Sequence, residues 1–204
     1  MDIKTFGVVG AGQMGNGIAQ VAAMSGLEVI MSDIKTEFIQ QGLETIKKNL
    51  QRSVDKTKMA DEERNAVLTR IKTTIDIKEM SAADFVIEAV TEHEPIKFQI
   101  FRDLDQICAL RVILATNTSS IPIGRIAAQT KRPEKIIGMH FMNPVPVMKL
   151  VEVIRGLSTS DDTFKTTRDL AVKFGKTPAQ ANDYPGFIAN RILMPMINEA
   201  VYCL

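Results

Sequence analysis

The sequence predicts an α/β fold with a doubly wound parallel sheet, followed by the start of an all-α region. Three observations support this prediction. Short β-rich runs alternate with helical stretches over the first two-thirds of the chain, which is typical of a parallel sheet with crossover helices. A glycine-rich turn joins the first of these runs to the first helical stretch. Residues 187–204, at the other end, have no strand character.

The predicted strands are short, and two of them contain largely apolar runs. We expect strands at residues 3–9, 27–32, 84–89, 112–116, 136–140 and 149–154. The runs at 85–90 and 112–115 are apolar rather than alternating, as in strands that are covered on both faces. These two runs therefore belong at the centre of the predicted sheet.

Helical stretches lie between the strands, at residues 14–25, 37–54, 61–70 and 95–107. The segment 37–70 is longer than a simple crossover needs, so we interpret it as a helical pair that projects from the sheet. After a turn at 183–186, residues 187–204 form one long predicted helix, in which Pro195 should introduce a kink. Apolar residues recur there at every fourth position, namely Ile188, Ile192, Met196 and Ala200.

The composition argues against several partners and locations. The 204 residues carry 25 basic and 24 acidic side chains, and a net charge of +1 gives no attraction to nucleic acid or to an anionic membrane. No apolar run approaches the length of a membrane span, and the early strand pattern leaves no room for a signal or transit peptide. Cys108 and Cys203 are predicted to be reduced thiols. We therefore expect a cytoplasmic protein without a metal site.

The strongest motif is the glycine-rich turn between the first strand and the first helix. Gly10 permits a tight turn, Gly12 lets the backbone approach a pyrophosphate, and Gly15 lets the helix pack closely on the strand. Gln13 and Met14 complete the turn at the helix N-terminus, where free N–H groups favour phosphate. The motif alone is a weak signal, but strand, turn, helix and second strand follow in the order that a dinucleotide site requires.

Asp33 ends the second predicted strand, 18 residues after Gly15. A carboxylate at this place can accept hydrogen bonds from an adenosine ribose and would repel a 2′-phosphate, which favours NAD over NADP. Lys35 nearby weakens this preference without reversing it.

His140 and Glu152 are the candidate acid–base pair. His140 ends a predicted strand, Glu152 lies in the next strand, and a chain reversal centred on Pro146 would bring the two side chains opposite each other. A carboxylate beside an imidazole holds one tautomer and stabilises the cation. The alternative is a core histidine bonded to backbone and an unrelated surface glutamate.

Two further polar residues stand near the same sheet edge. Ser119 follows the apolar strand at 112–116, at the carboxyl edge where open α/β sheets bind ligands. Its alternative role is to cap the short helix that starts at Ile121 and Pro122. Asn190 lies in the first turn of the last predicted helix, where it either reaches the site or faces solvent.

A basic run at residues 47–58 offers a possible phosphate contact. Arg52 and Lys56 are spaced i, i+4 and share a helix face. That face either holds the phosphates of a nucleotide handle or is simply solvated.

Taken together, these motifs resemble the (S)-3-hydroxyacyl-CoA dehydrogenase family, and most of all its bacterial short-chain members that act on 3-hydroxybutyryl-CoA. The resemblance covers all 204 residues. It is carried by VGAGQMG at 9–15, VIEAV at 86–90, ATNTSS at 115–120, GMHFMNPVPVMKLVE at 138–152 and DYPGFIANR at 183–191.

The resemblance implies roles for the reacting groups. His140 would be the catalytic base and Glu152 its partner, while Ser119 and Asn190 would align the 3-oxygen and the thioester of the substrate. Asp33 would hold the adenosine ribose.

It also implies contacts with the two larger ligands. Glu92, Lys97 and Asn117 would belong to the NAD site, with the first two on the nicotinamide side. The helical pair at 37–70 would cover CoA through its substrate-binding residues Asn49, Arg52 and Lys56.

The expected organisation is a Rossmann-type NAD-binding domain at residues 1–184 and the first helix of an incomplete helical domain at 185–204. Family members continue with further helices that build a homodimer, so we expect a fragment that does not dimerise as its relatives do. The expected reaction is reversible, NAD-linked oxidation of an acyl-CoA thioester, (S)-3-hydroxyacyl-CoA, to 3-oxoacyl-CoA. The alternatives are a non-catalytic NAD-binding module or redox sensor, and a β-hydroxyacid dehydrogenase with a lysine base.

Overall fold

The computed structural model describes residues 2–204, which form one eight-stranded sheet with helices on both faces. The strands are β1 (Thr5–Val9), β2 (Glu28–Ser32), β3 (Ile71–Thr74), β4 (Phe85–Glu88), β5 (Ile113–Thr116), β6 (Ile136–Phe141), β7 (Leu150–Arg155) and β8 (Thr177–Asn182). The helices are α1 (Gln13–Met24), α2 (Thr36–Asp55), α3 (Asp61–Thr69), α4 (Glu94–Ile107), α5 (Ile123–Ala127), α6 (Asp161–Lys173) and α7 (Ala189–Tyr202).

The strand order is β3-β2-β1-β4-β5-β6-β7-β8. The first six strands in this order are parallel, β7 runs antiparallel to β6, and β8 is parallel to β7. The order of β1 to β6 is that of the doubly wound dinucleotide-binding sheet, with its switch point between β1 and β4. The predicted fold class is therefore confirmed.

The core lies in two layers, one on each face of the sheet. On one face α1, α2, α3 and α6 cover a cluster in which Phe6 stacks on Phe85 at 5.5 Å and meets Phe174 edge-on at 5.3 Å, measured between ring centroids. On the other face, α4 and α5 cover a second cluster that includes Phe101 and Ile123. Since β4, β5 and β6 are buried along their whole length, apolar side chains suit both of their faces.

The helical pair expected at 37–70 is present as α2 and α3. One face of α2 is buried, through Ile39, Gly42, Ile46 and Leu50, and it packs against α1. The opposite face of α2 carries the charged residues and faces solvent, as in an amphipathic surface helix.

Three elements were not predicted from the sequence, namely β3, α6 and β8. β3 and β8 are the edge strands and lack a clear apolar alternation; Pro178 in β8 is tolerated because an edge strand does not need every N–H. The helix α6 is capped by Ser160, whose side chain accepts the N–H of Thr163, and this capping residue is a signal that the sequence does contain.

The last helix, α7, runs from Ala189 to Tyr202 and contains Pro195. Its residues are not buried, and several large apolar side chains on it are exposed. No helix in the described part of the chain is both long and apolar enough to span a membrane.

Candidate active site

The glycine turn lies where β1 passes into α1, at the carboxyl edge of the sheet. Gly10 has a φ of +105°, and a Cβ atom there would lie 2.7 Å from the carbonyl oxygen of Ala89, directly after the neighbouring strand β4. A Cβ atom at Gly15 would lie 1.8 Å from the carbonyl oxygen of Gly10. The turn can therefore close only with glycine at both positions.

The N-terminus of α1 is open toward ligand. Gly12 is the N-cap and supplies no side chain to the first N–H groups of the helix, and nothing lies within 4 Å of its Cβ position. Gln13 follows as the first helical residue and is exposed, and Met14 is half-buried. Uncapped N–H groups at a helix N-terminus, with open space in front of them, fit a pyrophosphate.

Asp33 follows directly after β2 and faces the same turn. Its Oδ2 atom accepts the N–H of Ala11 at 2.7 Å, and its Oδ1 atom accepts the N–H of Ile34 at 2.7 Å. The half-buried carboxylate therefore lies beside the glycine turn and lines the adjoining cleft. This position fits the ribose hydroxyls of NAD, and the negative charge disfavours a 2′-phosphate.

A cleft of about 750 Å³ runs from the glycine turn between α2 and the loop that joins β6 to β7. The α2 residues that line it recur every three or four positions, with one adjacent pair: Phe38, Gln41 and Gly42, Thr45, and Asn49. They therefore form one face of the helix. The loop contributes Asn143, Pro144, Val145 and Pro146, and its Asn143–Pro144 peptide bond is cis.

His140 and Glu152 face each other across the antiparallel pair β6–β7, where they are register partners. Nδ1 of His140 lies 2.8 Å from Oε2 of Glu152, and the two side chains are buried at 7% and 1% exposure. The reversal expected around Pro146 is therefore observed. A buried carboxylate next to an imidazole is the pairing that an acid–base histidine requires.

The second oxygen of Glu152 binds the start of α7. Oε1 accepts the N–H groups of Ile188 and Ala189, each at 2.8 Å. Burial raises the pKa of Glu152. The hydrogen bonds from His140, Ala189 and Ile188 lower the pKa by more than burial raises it, so the net pKa lies below its ordinary value. Glu152 is therefore a carboxylate, and Nδ1 of His140 carries the proton that it accepts.

Ser119, His140 and Glu152 form a series of three hydrogen-bonded side chains. The Oγ atom of Ser119 lies 3.1 Å from Nε2 of His140. Because Nδ1 holds its proton for Glu152, Nε2 of the neutral imidazole is an acceptor, and the hydroxyl of Ser119 donates to it. A substrate hydroxyl next to Ser119 would meet the same nitrogen.

Asn190 is the second residue of α7 and is half-buried, directly after the Ala189 amide that Glu152 binds. The ring of Phe187, in the preceding turn, meets the His140 ring edge-on with centroids 5.9 Å apart. The segment that Glu152 binds therefore carries Phe187 against the imidazole and places Asn190 one residue after the bound Ala189 amide.

The residues expected on the nicotinamide side lie at the start of α4. Lys97 is buried and donates to Oε1 of Glu88 at 2.7 Å, with Oε2 of Glu92 at 3.3 Å. Glu92 accepts hydrogen bonds from the loop that carries Ser119. Asn117 is buried, and its Oδ1 atom accepts the N–H of Phe141 at 2.9 Å.

The three residues expected to contact CoA lie along α2 or at its end. Asn49 is half-buried, lines the cleft and donates to Oε1 of Gln20 at 3.2 Å. Arg52 and Lys56 are exposed, and they continue the helix face on which Asn49 and Thr45 line the cleft.

Two residues of the site were not identified from the sequence. Phe187 packs on the imidazole, and Glu88 is a fully buried carboxylate in β4. A signal for Glu88 exists, because it is the one charged residue in the apolar run at 85–90, and a buried charge needs a partner. No such signal marks Phe187. Within residues 2–204, no cluster of three His, Cys, Asp or Glu side chains is suited to hold a metal ion.

The fold and this site define an NAD-dependent dehydrogenase. Residues 5–184 match the family model described as 3-hydroxyacyl-CoA dehydrogenase, NAD binding domain. The chain therefore belongs to the 3-hydroxyacyl-CoA dehydrogenase family. The family and the cofactor, NAD, are as the sequence predicted.

Individual relatives agree with this assignment. The chain is 53% identical to a probable 3-hydroxybutyryl-CoA dehydrogenase of Bacillus subtilis, over 100% of this chain and 71% of that protein. It is 48% identical to the 3-hydroxybutyryl-CoA dehydrogenase of Bradyrhizobium diazoefficiens, over 99% of this chain and 69% of the relative. The crystal structure of (S)-3-hydroxybutyryl-CoA dehydrogenase from Ralstonia eutropha superimposes with a TM-score of 0.96 at 48% identity, covering 98% of this chain and 70% of that one.

Proposed function

We propose that this chain, an NAD-dependent 3-hydroxyacyl-CoA dehydrogenase by family, interconverts 3-hydroxybutyryl-CoA and acetoacetyl-CoA with His140 as the acid–base group. The observation that carries the proposal is the hydrogen-bonded series Ser119–His140–Glu152, in which Nδ1 of His140 is bonded to Glu152 and Nε2 faces the Ser119 hydroxyl. The names of the relatives at 48–53% identity support the four-carbon substrate.

In the oxidative direction, Nε2 of His140 removes the proton of the C3 hydroxyl as the C3–H bond breaks. NAD, when bound, supplies the acceptor for the hydride that leaves C3. The imidazolium that forms stays next to the carboxylate of Glu152, 2.8 Å from Nδ1, and this charge pairing stabilises it. In the reductive direction the imidazolium returns the proton to the forming alkoxide.

Ser119 and Asn190 align the substrate in this proposal. The hydroxyl of Ser119 is within 3.1 Å of Nε2 of His140, so an oxygen atom that bonds to the serine also reaches the base. Asn190 stands at the N-terminus of α7, close to the pair, where its amide can bond the thioester carbonyl. Holding both reactants in one geometry is the main contribution of the protein to a hydride transfer.

The CoA part of the substrate would lie along α2. The cleft-lining face of this helix passes Thr45 and Asn49 and continues to Arg52 and Lys56. Two exposed cations at the end of a ligand-lining face suit the phosphates of a nucleotide handle. Lys56, at the end of α2, is the proposed principal phosphate contact.

The decisive experiment follows NADH absorbance with acetoacetyl-CoA, in the protein and in His140→Gln. We expect the substitution to lower turnover about 10²- to 10⁴-fold, the usual contribution of an acid–base group, and to leave NADH binding unchanged. A variant that loses NADH binding would contradict the division of roles. A protein that binds NADH but never oxidises it with acetoacetyl-CoA would be the non-catalytic module.

Two further predictions come from the sequence, the first from the family resemblance and the second from the composition. A homodimer is predicted for the longer form of the family, and a cytoplasmic location is predicted for this chain. Size-exclusion chromatography with light scattering and cell fractionation would test them.

A further inference from the structure

We propose that Glu92 is a positioning residue that holds the Ser119 loop against His140, and that Lys97 and Glu88 in turn hold Glu92. The inference rests on the proposed role of Ser119 in aligning the substrate. It assigns a task to the buried ion pair of Lys97 and Glu88.

The carboxylate of Glu92 gathers the donors of three consecutive residues. Its Oε1 atom accepts the N–H groups of Ser119 at 2.9 Å and of Ser120 at 3.1 Å. The same oxygen accepts the hydroxyl of Ser120 at 2.9 Å and the hydroxyl of Thr118. Since this segment follows β5 as a loop without strand partners, Glu92 supplies its main anchor across the sheet edge.

These bonds constrain the serine that contacts the imidazole. With its N–H held by Glu92, Ser119 places its own Oγ atom 3.1 Å from Nε2 of His140. A displacement of about 1 Å in a substrate-aligning group lowers turnover by about 10²-fold. The loop therefore needs an anchor that is itself rigid.

A surface carboxylate is rigid only if something holds it. The side chain of Glu92 is 39% exposed, and an exposed carboxylate on its own samples several rotamers. Burial raises the pKa of Glu92. The opposing effects are larger and lower the net pKa: the hydrogen bond from Thr118, the positive charge of Lys97, and the hydrogen bonds from Ser120 and Ser119. The group is therefore charged when it binds the loop.

The buried Lys97 fixes the carboxylate of Glu92 from the interior of the protein. Its side chain is 1% exposed, with Nζ 3.3 Å from Oε2 of Glu92 and 2.7 Å from Oε1 of the fully buried Glu88. Glu88 is fixed in turn by the N–H of Val90 at 2.7 Å and the hydroxyl of Thr116 at 2.8 Å. The two partners of Glu88 come from the ends of β4 and β5, so the chain of contacts starts in the rigid sheet.

A double-mutant cycle tests whether Glu92 acts through Ser119. We expect Glu92→Ala and Ser119→Ala each to lower kcat about 10-fold, the effect of losing a charge-assisted hydrogen bond or its target. The kcat of the double variant should be only slightly lower than that of the less active single variant, because each substitution removes the same aligned Ser119 hydroxyl. Because the family resemblance also places Glu92 on the nicotinamide side, kcat is compared at saturating NADH.

The opposite pattern would overturn the inference. If the two effects on kcat at saturating NADH multiply to about 100-fold, Glu92 does not act through the loop. If Ser119→Ala leaves kcat unchanged while His140→Gln abolishes it, the inference fails and the proposed acid–base function stands. If His140→Gln retains turnover, the proposed function itself fails.

Amide hydrogen exchange gives a readout that does not depend on activity. In Glu92→Ala the amides of Ser119 and Ser120 should lose protection, since they lose their acceptor. Glu94→Ala is the matched control, because Glu94 lies two residues away, is similarly exposed and pairs with Arg125 at 2.7 Å. The control should leave both amides and kcat unchanged; unchanged protection in Glu92→Ala would contradict the inference.

Discussion

Oε2 of Glu152 lies 2.8 Å from Nδ1 of His140, and the other oxygen of the same carboxylate binds the first N–H groups of α7. One side chain thus links His140 on β6, the proposed acid–base group, to the helix that carries Asn190. The position of α7 and the orientation of the imidazole are therefore coupled. A carboxylate that serves both partners also has no freedom to rotate away from either.

The substitution Glu152→Gln should lower kcat strongly. The amide is neutral and no longer stabilises the imidazolium, and its NH₂ group competes for the proton position at Nδ1. We expect a loss of about 10²-fold or more, as for other histidine–carboxylate pairs. Steady-state kinetics with acetoacetyl-CoA and NADH measures it.

The matched control is Glu134→Gln, at a carboxylate in a turn before β6. It should leave kcat unchanged. A Glu152→Gln variant with the kcat of the unmodified protein would show that the imidazole needs no charged partner.

Glu152 should also make stability depend on pH. Its folded-state pKa is below its ordinary value, and the unfolded-state pKa is about 4.3. The stabilisation is therefore fully present above about pH 4.3 and is lost as the pH falls through the folded-state pKa. Urea unfolding between pH 5 and pH 3 should show the unmodified protein losing stability more steeply than Glu152→Gln. Parallel pH profiles of the two proteins would contradict this.

The substitution Asp33→Asn should shift cofactor preference toward NADP. The asparagine keeps an oxygen for the N–H of Ala11 but removes the charge that repels a 2′-phosphate. We expect the ratio of NADPH to NADH affinity to rise about 10-fold, which is 1.4 kcal/mol, in fluorescence titrations. Asp55→Asn, at an exposed position of α2, is the control. Equal changes for both cofactors would mean that Asp33 acts only on the turn.

Two glycines of the turn should respond differently to alanine. Gly15→Ala places a Cβ atom 1.8 Å from the carbonyl oxygen of Gly10, and such overpacking costs about 1–3 kcal/mol or more. Gly12→Ala meets nothing within 4 Å, so its Tm should not change while its NADH affinity falls, because the methyl group enters the phosphate space. Thermal unfolding and NADH titration of both variants separate the two roles. Equal effects of the two variants on Tm would contradict the assignment.

Lys56→Ala should weaken the binding of CoA thioesters. The loss of one exposed phosphate contact should raise the KM for acetoacetyl-CoA about 2- to 5-fold, and less at high salt. The KM for acetoacetyl-pantetheine, which lacks the nucleotide, should not change. Lys165→Ala on α6 is the control for a general charge effect. A rise in KM for both substrates would place Lys56 away from the phosphates.

The parts of the site that follow from short-range spacing were predictable. The glycine turn, α1 and Asp33 are adjacent in one β-α-β unit, and the reversal around Pro146 brings His140 and Glu152 into register. Such features depend on backbone geometry within a few tens of residues, and the residue types record that geometry directly.

Other contacts depend on the lateral order of the strands, which no local pattern encodes. Ser119 meets His140 because β5 and β6 are neighbours. Glu92 reaches the Ser119 loop because β4 and β5 are neighbours. The edge strands β3 and β8 also depend on their neighbours. Their own composition does not favour a strand, but β2 and β7 supply the backbone hydrogen-bond partners.

The amino-acid sequence was thus sufficient to predict the family, the cofactor and the contact between His140 and Glu152, because each follows from a motif of fixed spacing. Packing of distant segments was needed to join Glu152 to α7 and to connect Glu88, Lys97 and Glu92 to the serine loop. The physical reason is that a buried charge must pair with a group that lies close to it in the folded protein. Which groups lie close together in space cannot be derived from their order along the chain.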